Sequence, residues 1–597
     1  METYKHSIKN YYSFLKSTTR LDDLYTKSIP LENQAGYLLP ISALHVDDAE
    51  LIEKLAAWRK MHTTSFPSQF PVTLEGTATW LQKNLLDVED RILFLVVNAH
   101  GQALGHLGFA NGLNDQAELE IDNVLRGVHD QDPGIMSLAM KKLIEWAEEF
   151  IAPERIILRV FNDNLHAVAF YKKLGFVEDT LIPLKKHIEG EAIFYRESKD
   201  NQVDKHFLRM RYVTMPLLKA ESLISTAGPS ISAREISYAN DAARYGWNSQ
   251  WNKYIKKFEE SFCEYLNVKY ALSTSSCTGA LHIALAALGI GPGDEVIVPD
   301  ITWVATANAV VYVGATPVFA DVDRDSWCMD PASFKSLITP RTKAVIPVHL
   351  YGHPAPIDEI VKIARAHGLY IIEDAAPSIG AEWKNQKVGT FGDFAAFSFQ
   401  GAKLAVSGEG GVLITNNEEL YYKAYAIWDQ GREPNTFWIK QNGLKYKMAN
   451  IQAAIGLGQM ERILELIEAK RRIFHWYADN LQGVKDIRLN YETPHAYSIY
   501  WMASILVSEQ CKLSRDELRA ALKTYNVDTR PVFPAISQYP HWPRAQAAQP
   551  NATYIGNQAI NLPSGVCLKK RDVDYICKSL KEILVKSTVG KQVELQD

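Results

Sequence analysis

Four groups of residues in the second half of this chain could do chemistry together. Lys403 stands just past the apolar run DFAAFSF, which carries Ser398, and Asp374 closes the run LYIIED. Ser275, Ser276, Cys277 and Thr278 lie between the strand-like YALST and the apolar helix-like ALHIALAAL. Trp303 follows DEVIVPD, and Gly408, Glu409, Gly410 and Gly411 make a loop able to approach a ligand closely. A lysine amine bonds reversibly to an aldehyde as an imine, and an acid can keep a pyridine nitrogen protonated. The free N–H groups at a helix start can cradle a phosphate, and an indole offers a flat apolar partner. Together these are the parts a pyridoxal 5'-phosphate site needs. Taken singly, each has a plainer reading: a solvated lysine, a helix cap, a capping aspartate and a core tryptophan.

The elements that must hold these groups are legible as apolar runs. Strand-like YALSTS, DEVIVPD, TPVFADV, KAVIPVHL, LYIIEDAA, DFAAFSF and GGVLITN alternate with helical ALHIALAAL, VATANAVVYV and IDEIVKIARAHG. Continuous apolar strands separated by helices predict a parallel sheet covered on both faces, with the ligand at the C-terminal strand ends. The earlier part of the chain reads differently. RILFLVV, ALGHLGFA and AELEIDNV predict successive strands, the first two joined through Asn98 to Gln102. Met136, Met140, Leu143, Ala147 and Phe150 mark one helix face. RIILRVF predicts another strand, and LHAVAFYKKL a short helix closed by Gly175. The joint is expected near Val213 to Pro216, after a last strand FLRMRYV. Residues 1–37 fit neither pattern and are expected to be an extension packed elsewhere.

Composition narrows the classes. The chain has 597 residues, 47% apolar and 22% charged, enough for two to four domains with large cores. A net charge of −5 gives no electrostatic footprint for nucleic acid. No charge-free stretch of about 18 apolar residues is present, so no membrane insertion is expected. The six cysteines have no CxxC spacing, so no disulfide framework and no metal site are indicated. The expected location is cytoplasmic.

From about 217 to 585 the chain resembles the DegT-type sugar aminotransferases, of pyridoxal phosphate fold type I, and their perosamine-synthase subgroup in particular. The matching words include STSSCTGALHIALAALGIGPGDEVIVP, VIPVHLYG, IIEDAAPSIGA, GTFGDFAAFSFQGAKLAVSGEGG, KYKMANIQAAIGLGQ and TRPVFP. The resemblance implies that Lys403 forms the imine, Asp374 pairs with the pyridine nitrogen and Trp303 stacks on the ring. It implies that Cys277, Thr278 and Ser398 hold the phosphate. Asn450 would reach the phosphate of a neighbouring subunit, which implies a homodimer. Two departures stand out: Pro377 replaces the usual polar residue near the ring hydroxyl, leaving Ser378 as the nearest polar option, and Cys277 replaces a common glycine. Arg530 and His349 are candidates to touch the sugar nucleotide.

From about 38 to 213 the chain resembles the GNAT superfamily of acyl-CoA N-acyltransferases. The words are LEIDNVLRGVHDQDPGIMSLAMKKLIEWA and IILRVFNDNLHAVAFYKKLGF. The resemblance implies that N–H groups of Gly127, Gly134, Ile135 and Met136 bind the pyrophosphate of acetyl-CoA, although an acidic insertion separates Gly127 from Gly134. It also implies that Tyr171 protonates the leaving thiolate and that Asn164 lies near the pantetheine arm. Phe170, Tyr171 and Phe176 could instead be plain core aromatics. Glu118, Glu120 and His129 are candidate bases.

The expected architecture is therefore an α/β chain in four parts: an extension (1–37), a mixed α+β GNAT-like domain (38–214), a large cofactor domain with a doubly wound, mostly parallel sheet (215–460), and a small C-terminal α/β domain (461–597). The expected function is bifunctional. Glutamate would donate an amine to a nucleotide-linked keto-6-deoxy hexose, and acetyl-CoA would then acetylate it, for a surface polysaccharide. The alternative is an aminotransferase whose N-terminal part only binds or assembles.

Overall fold

The computed structural model describes residues 2–198, 203–213, 220, 222–434, 436–542 and 549–593. The expected joint lies outside the described residues past Val213. The chain forms two compact units, Met1–Met215 with Ser232–Ser237, and Pro216–Ile231 with Tyr238–Asp597.

In the first unit, ten strands form one sheet. Strands Ile92–Asn98, Ala103–Ala110 and Glu118–Arg126 are consecutive antiparallel neighbours. Their alternating side chains feed two cores: Ile92, Phe94 and Val96 on one face, Leu93, Leu95 and Val97 on the other. Glu118–Arg126 then pairs in parallel with Arg155–Phe161, but only from Glu118 and Arg155 to Ile121 and Leu158. Beyond that point the ladder stops, and Asn123 has a φ of 52°, so the strand turns away from its partner.

Residues 2–37 do not form a separate extension. The helix Glu2–Lys16 buries Tyr4, Ile8, Tyr11, Tyr12 and Leu15 in the first unit's core. Strand Ile29–Pro30 pairs with Gly36–Pro40, which pairs with Ile92–Asn98. The stripe was hidden because its tyrosines read as polar in a hydropathy scan, yet they bury large apolar rings.

In the second unit, seven strands carry the sheet. Tyr370–Asp374 and Phe394–Ser398 lie side by side in parallel. Gly411–Thr415 runs antiparallel between Phe394–Ser398 and Tyr270–Thr274. Both faces are buried, as the apolar runs predict: Phe394 and Ala396 enter one core, Ala395 and Phe397 the other. A four-stranded antiparallel sheet follows, including Ser504–Val507 and Ala559–Asn561. Helices Ile463–Leu481 and Lys570–Val593 share a core with it, through residues such as Phe474, Tyr477, Ile505, Val573 and Leu580.

Candidate active sites

Parallel strands deliver the side chains that follow them to one edge of the sheet, and that edge is where the predicted groups meet. Cys277, Thr278, Trp303, Asp374, Ser398 and Lys403 all line one cavity of about 490 Å³. Ser398 and Thr274 are both register partners of Gly411, so three strands end together beneath it. Helix Cys277–Ala287 starts at the same edge, with Ser276 as its cap, accepting from the Gly279 N–H at 3.0 Å. The N–H groups of the first helical residues, Cys277 and Thr278, have no partner within the helix and face the cavity end of the macrodipole.

Gly411 is required there by space. A Cβ on it would lie 2.5 Å from the Cys277 nitrogen and 2.6 Å from the Ser276 carbonyl carbon, both backbone atoms. Gly411→Ala is therefore expected to push the strand off the anion-binding turn. Cofactor titration by absorbance checks this, with an expected loss of about tenfold or more in affinity, set by an overpacking strain of roughly 1–3 kcal/mol. Unchanged affinity would mean that the turn is not where the cofactor phosphate sits.

The charges are arranged in opposition. Asp374 is buried and accepts from the Thr306 hydroxyl at 2.7 Å and from the Ala376 N–H at 3.1 Å. Burial pushes its pKa up, while Thr306, Ala376 and the Lys403 charge pull it back. Lys403 has its pKa lowered, chiefly by burial, against the pull of Asp374 and Cys277. Its amine makes no hydrogen bond or ion pair among the described residues and lies 3.9 Å from the Trp501 ring centre. Burial holds the Cys277 thiol well above its ordinary pKa, so it stays neutral. Trp303 keeps 58% of its surface exposed and meets Phe533 at 5.7 Å between ring centres.

Asn450 is not part of this cavity. Its Oδ1 accepts from the Tyr254 N–H at 2.9 Å, and its Nδ2 is buried without a partner. Pro377 does line the cavity, but the Ser378 hydroxyl is committed to the His349 carbonyl and is fully buried. His349 is likewise fully buried, with one ring nitrogen facing Glu373 at 3.1 Å and the other accepting from the Ala355 N–H. Both ring nitrogens are thus engaged within the protein. Arg530 is exposed and pairs with Asp528 at 3.4 Å. Sequence reasoning missed Trp501 and Phe533, both of which line the cavity from late in the chain.

In the first unit, the end of the parallel ladder gathers a second set. Helix Ile135–Trp146 begins at Gly134, whose φ is +91° and whose Cβ position meets nothing within 4 Å. The N–H groups of Gly134 and Met136 have no backbone acceptor among the described residues, whereas Ile135 donates to the Asp132 carbonyl at 3.2 Å. Gly127 also differs from the expectation. Its N–H donates to the Leu104 carbonyl at 2.8 Å, so it is not a free donor. Glycine is needed there because a Cβ would lie 2.0 Å from the Trp58 ring. The acidic insertion is folded back by Arg126, which donates to the carbonyls of Val128, His129 and Gln131.

Tyr171 lies on helix Leu165–Lys173, 8% exposed, between Phe170 and Phe176. Its hydroxyl makes no hydrogen bond among the described residues, and burial, with the Asp122 charge, pushes its pKa up. Asn164 caps that helix, its Oδ1 accepting from the Ala167 N–H at 3.2 Å. The three base candidates fare poorly. Arg209 and Arg155 hold Glu118, and Arg159 grips Glu120 through two hydrogen bonds. His129 is exposed and faces His62 at 5.6 Å between ring centres. The carboxylate that sequence reasoning missed is Asp122, the first residue past the end of the parallel ladder. Burial raises its pKa against the pull of Arg91, 3.1 Å away. An alternating strand pattern could have found it, because residues two apart share a face and Asp122 falls on the side of Glu118 and Glu120.

Comparison with known proteins agrees with this division. Residues 39–177 match the acetyltransferase (GNAT) domain, and residues 229–581 match the DegT/DnrJ/EryC1/StrS aminotransferase family. The chain is 40% identical over 370 residues to the GDP-perosamine synthase of Caulobacter vibrioides, covering 61% of this chain and 98% of that one. It is 41% identical over 355 residues to the GDP-perosamine synthase of Escherichia coli O157:H7, covering 59% and 96%. The aminotransferase TlmJ from Streptoalloteichus hindustanus superposes with a TM-score of 0.58 at 27% identity, covering 61% of this chain and 99% of that one. The chain therefore belongs to the DegT/DnrJ/EryC1/StrS aminotransferase family and carries a GNAT acetyltransferase domain ahead of its aminotransferase part.

Proposed function

We propose that this protein is a bifunctional nucleotide-sugar enzyme. Its second unit moves an amine from glutamate to a nucleotide-linked keto-6-deoxy hexose. Its first unit then transfers the acetyl group of acetyl-CoA to that new amine, giving an acetamido sugar for a surface polysaccharide. One observation carries the reading: two separate sets of catalytic groups lie on one chain, and the product of the first is the nucleophile the second requires. The relatives named GDP-perosamine synthase support a nucleotide-linked sugar. Residues 215–460 and 461–597 act as the large and small aminotransferase domains. A homodimer accounts for the partnerless Asn450 Nδ2, and six free thiols suit a cytoplasmic setting.

The residues of the cavity fit pyridoxal 5'-phosphate. An amine without a partner, a buried carboxylate and a capped helix start with free N–H groups surround a space of about 490 Å³. When bound, that cofactor supplies an electron sink for the carbon that loses its proton. Lys403 would hold it covalently, and its lowered pKa would let the freed amine accept and return a proton. Asp374, fixed by Thr306 and Ala376, would pair with the pyridine nitrogen. Cys277 and Thr278 supply backbone N–H groups, so the thiol in place of a glycine is no obstacle. At the other site, Gly134 and Met136 offer N–H groups to the CoA pyrophosphate. Asp122 draws a proton from the acceptor amine, and Tyr171 gives one to the departing thiolate.

The test supplies purified protein with a nucleotide-linked 4-keto-6-deoxy hexose, glutamate and acetyl-CoA, and follows products by mass spectrometry. An acetamido sugar with free CoA is the expected outcome. Accumulation of the free amine with no CoA release would sink the coupled reading and leave an aminotransferase alone.

A further inference from the structure

Trp501 is held from four sides. Its indole N–H donates to the Ala402 carbonyl at 2.8 Å, and its ring stacks on Tyr351 with 5.7 Å between centres and 20° between planes. Its carbonyl accepts from the buried Lys470 ammonium at 2.9 Å. Its nitrogen lies 2.7 Å from where a Cβ on Gly352 would be, so only glycine, here at φ +94°, allows that approach. A surface tryptophan needs none of this, and the fixed ring lines the cavity with the Lys403 amine 3.9 Å from its centre.

The geometry points to Trp501 as the positioning residue that docks the free Lys403 ammonium while the lysine is detached from the cofactor. The inference rests on Lys403 being the cofactor lysine. When the amine is released it must stay within reach of the reacting carbon, and it has no hydrogen bond or ion pair among the described residues to tether it. The ring's negative face does this without forming a bond that would have to break at each proton transfer. It also favours the charged amine, opposing the burial that disfavours it. The groups acting on the amine are Asp374 from the sheet edge and Cys277 from the helix start, with His349 acting on Asp374 and Glu409 of the glycine loop also lining the cavity. The thiol is neutral, so Asp374 favours the ammonium while Trp501 sets its place.

The test uses the full chain after its amino donor has converted the cofactor to the amine form, which leaves Lys403 free. Trace labelling with acetic anhydride across a pH series, with peptide mapping, reads the midpoint at which the Lys403 amine becomes reactive. Trp501→Leu is expected to lower that midpoint by about one pH unit, the size of a desolvated cation–π contact. Trp501→Phe, which keeps a ring face, is expected to lower it by less. Should Trp501→Leu fail to fold, a series of fluorinated tryptophans at position 501 keeps the shape and weakens the ring face in steps, and the midpoint should fall in the same steps. An unchanged midpoint across the Leu variant or the fluorinated series overturns the dock. Borohydride trapping of the aldehyde form is a separate arm: an adduct on another residue would remove Lys403 from its catalytic role, whatever the labelling shows.

Discussion

Lys403→Ala is expected to abolish amine transfer, by about 10³-fold or more, while acetylation of a supplied amino sugar continues at its wild-type rate. The size follows from the lysine having two jobs, covalent attachment and proton movement, with no second amine among the described residues that line the cavity to take over either. Loss of the side chain leaves no orphaned partner, because the amine makes no hydrogen bond or ion pair among the described residues. A folding defect is therefore not the expected cause. The cofactor would still bind through the N–H groups of the helix start and through Asp374, but borohydride would no longer fix it to the protein. Retained transamination in this variant, or trapping that maps to another lysine, would refute the assignment. Continued acetylation matters equally, since it shows that one chain carries two separable activities.

The cavity was legible in the sequence because parallel strands impose an order. Once LYIIED and DFAAFSF are read as neighbours, Asp374 and Lys403 must emerge on the same edge. Trp501 and Phe533 were not legible, since neither lies at a strand end of the main sheet and each reaches the cavity from a later part of the chain. The Gly127 N–H misled for a different reason. A glycine in a phosphate-loop position suggests a free donor, but here its lack of a side chain serves the Trp58 ring and its N–H serves Leu104. Glu118 and Glu120 looked available because their partners, Arg155, Arg159 and Arg209, are distant in sequence and meet them only across the sheet. Strand alternation fixes which face a residue takes, but not what stands opposite it.

Tyr171→Phe is expected to slow acetyl transfer by about 10²-fold with acetyl-CoA affinity unchanged. The ring of Tyr171 packs between Phe170 and Phe176, and phenylalanine preserves that packing. Only the hydroxyl is lost, and among the described residues it has no hydrogen bond to break. A raised pKa means the phenol keeps its proton at every pH at which the enzyme is assayed, so it is ready to donate to a thiolate and cannot itself cause an alkaline fall below about pH 10. Asp122 gives the opposite limb. Its raised pKa means that it is protonated, and unable to take a proton from the amine, up to a higher pH than an ordinary aspartate. Activity should therefore rise as Asp122 ionises, and Asp122→Asn should remove that rise along with most of the rate. Stopped-flow release of CoA against pH measures both. If Tyr171→Phe acetylates as fast as the parent, the hydroxyl is a core ornament, and the first unit's chemistry must run through another acid.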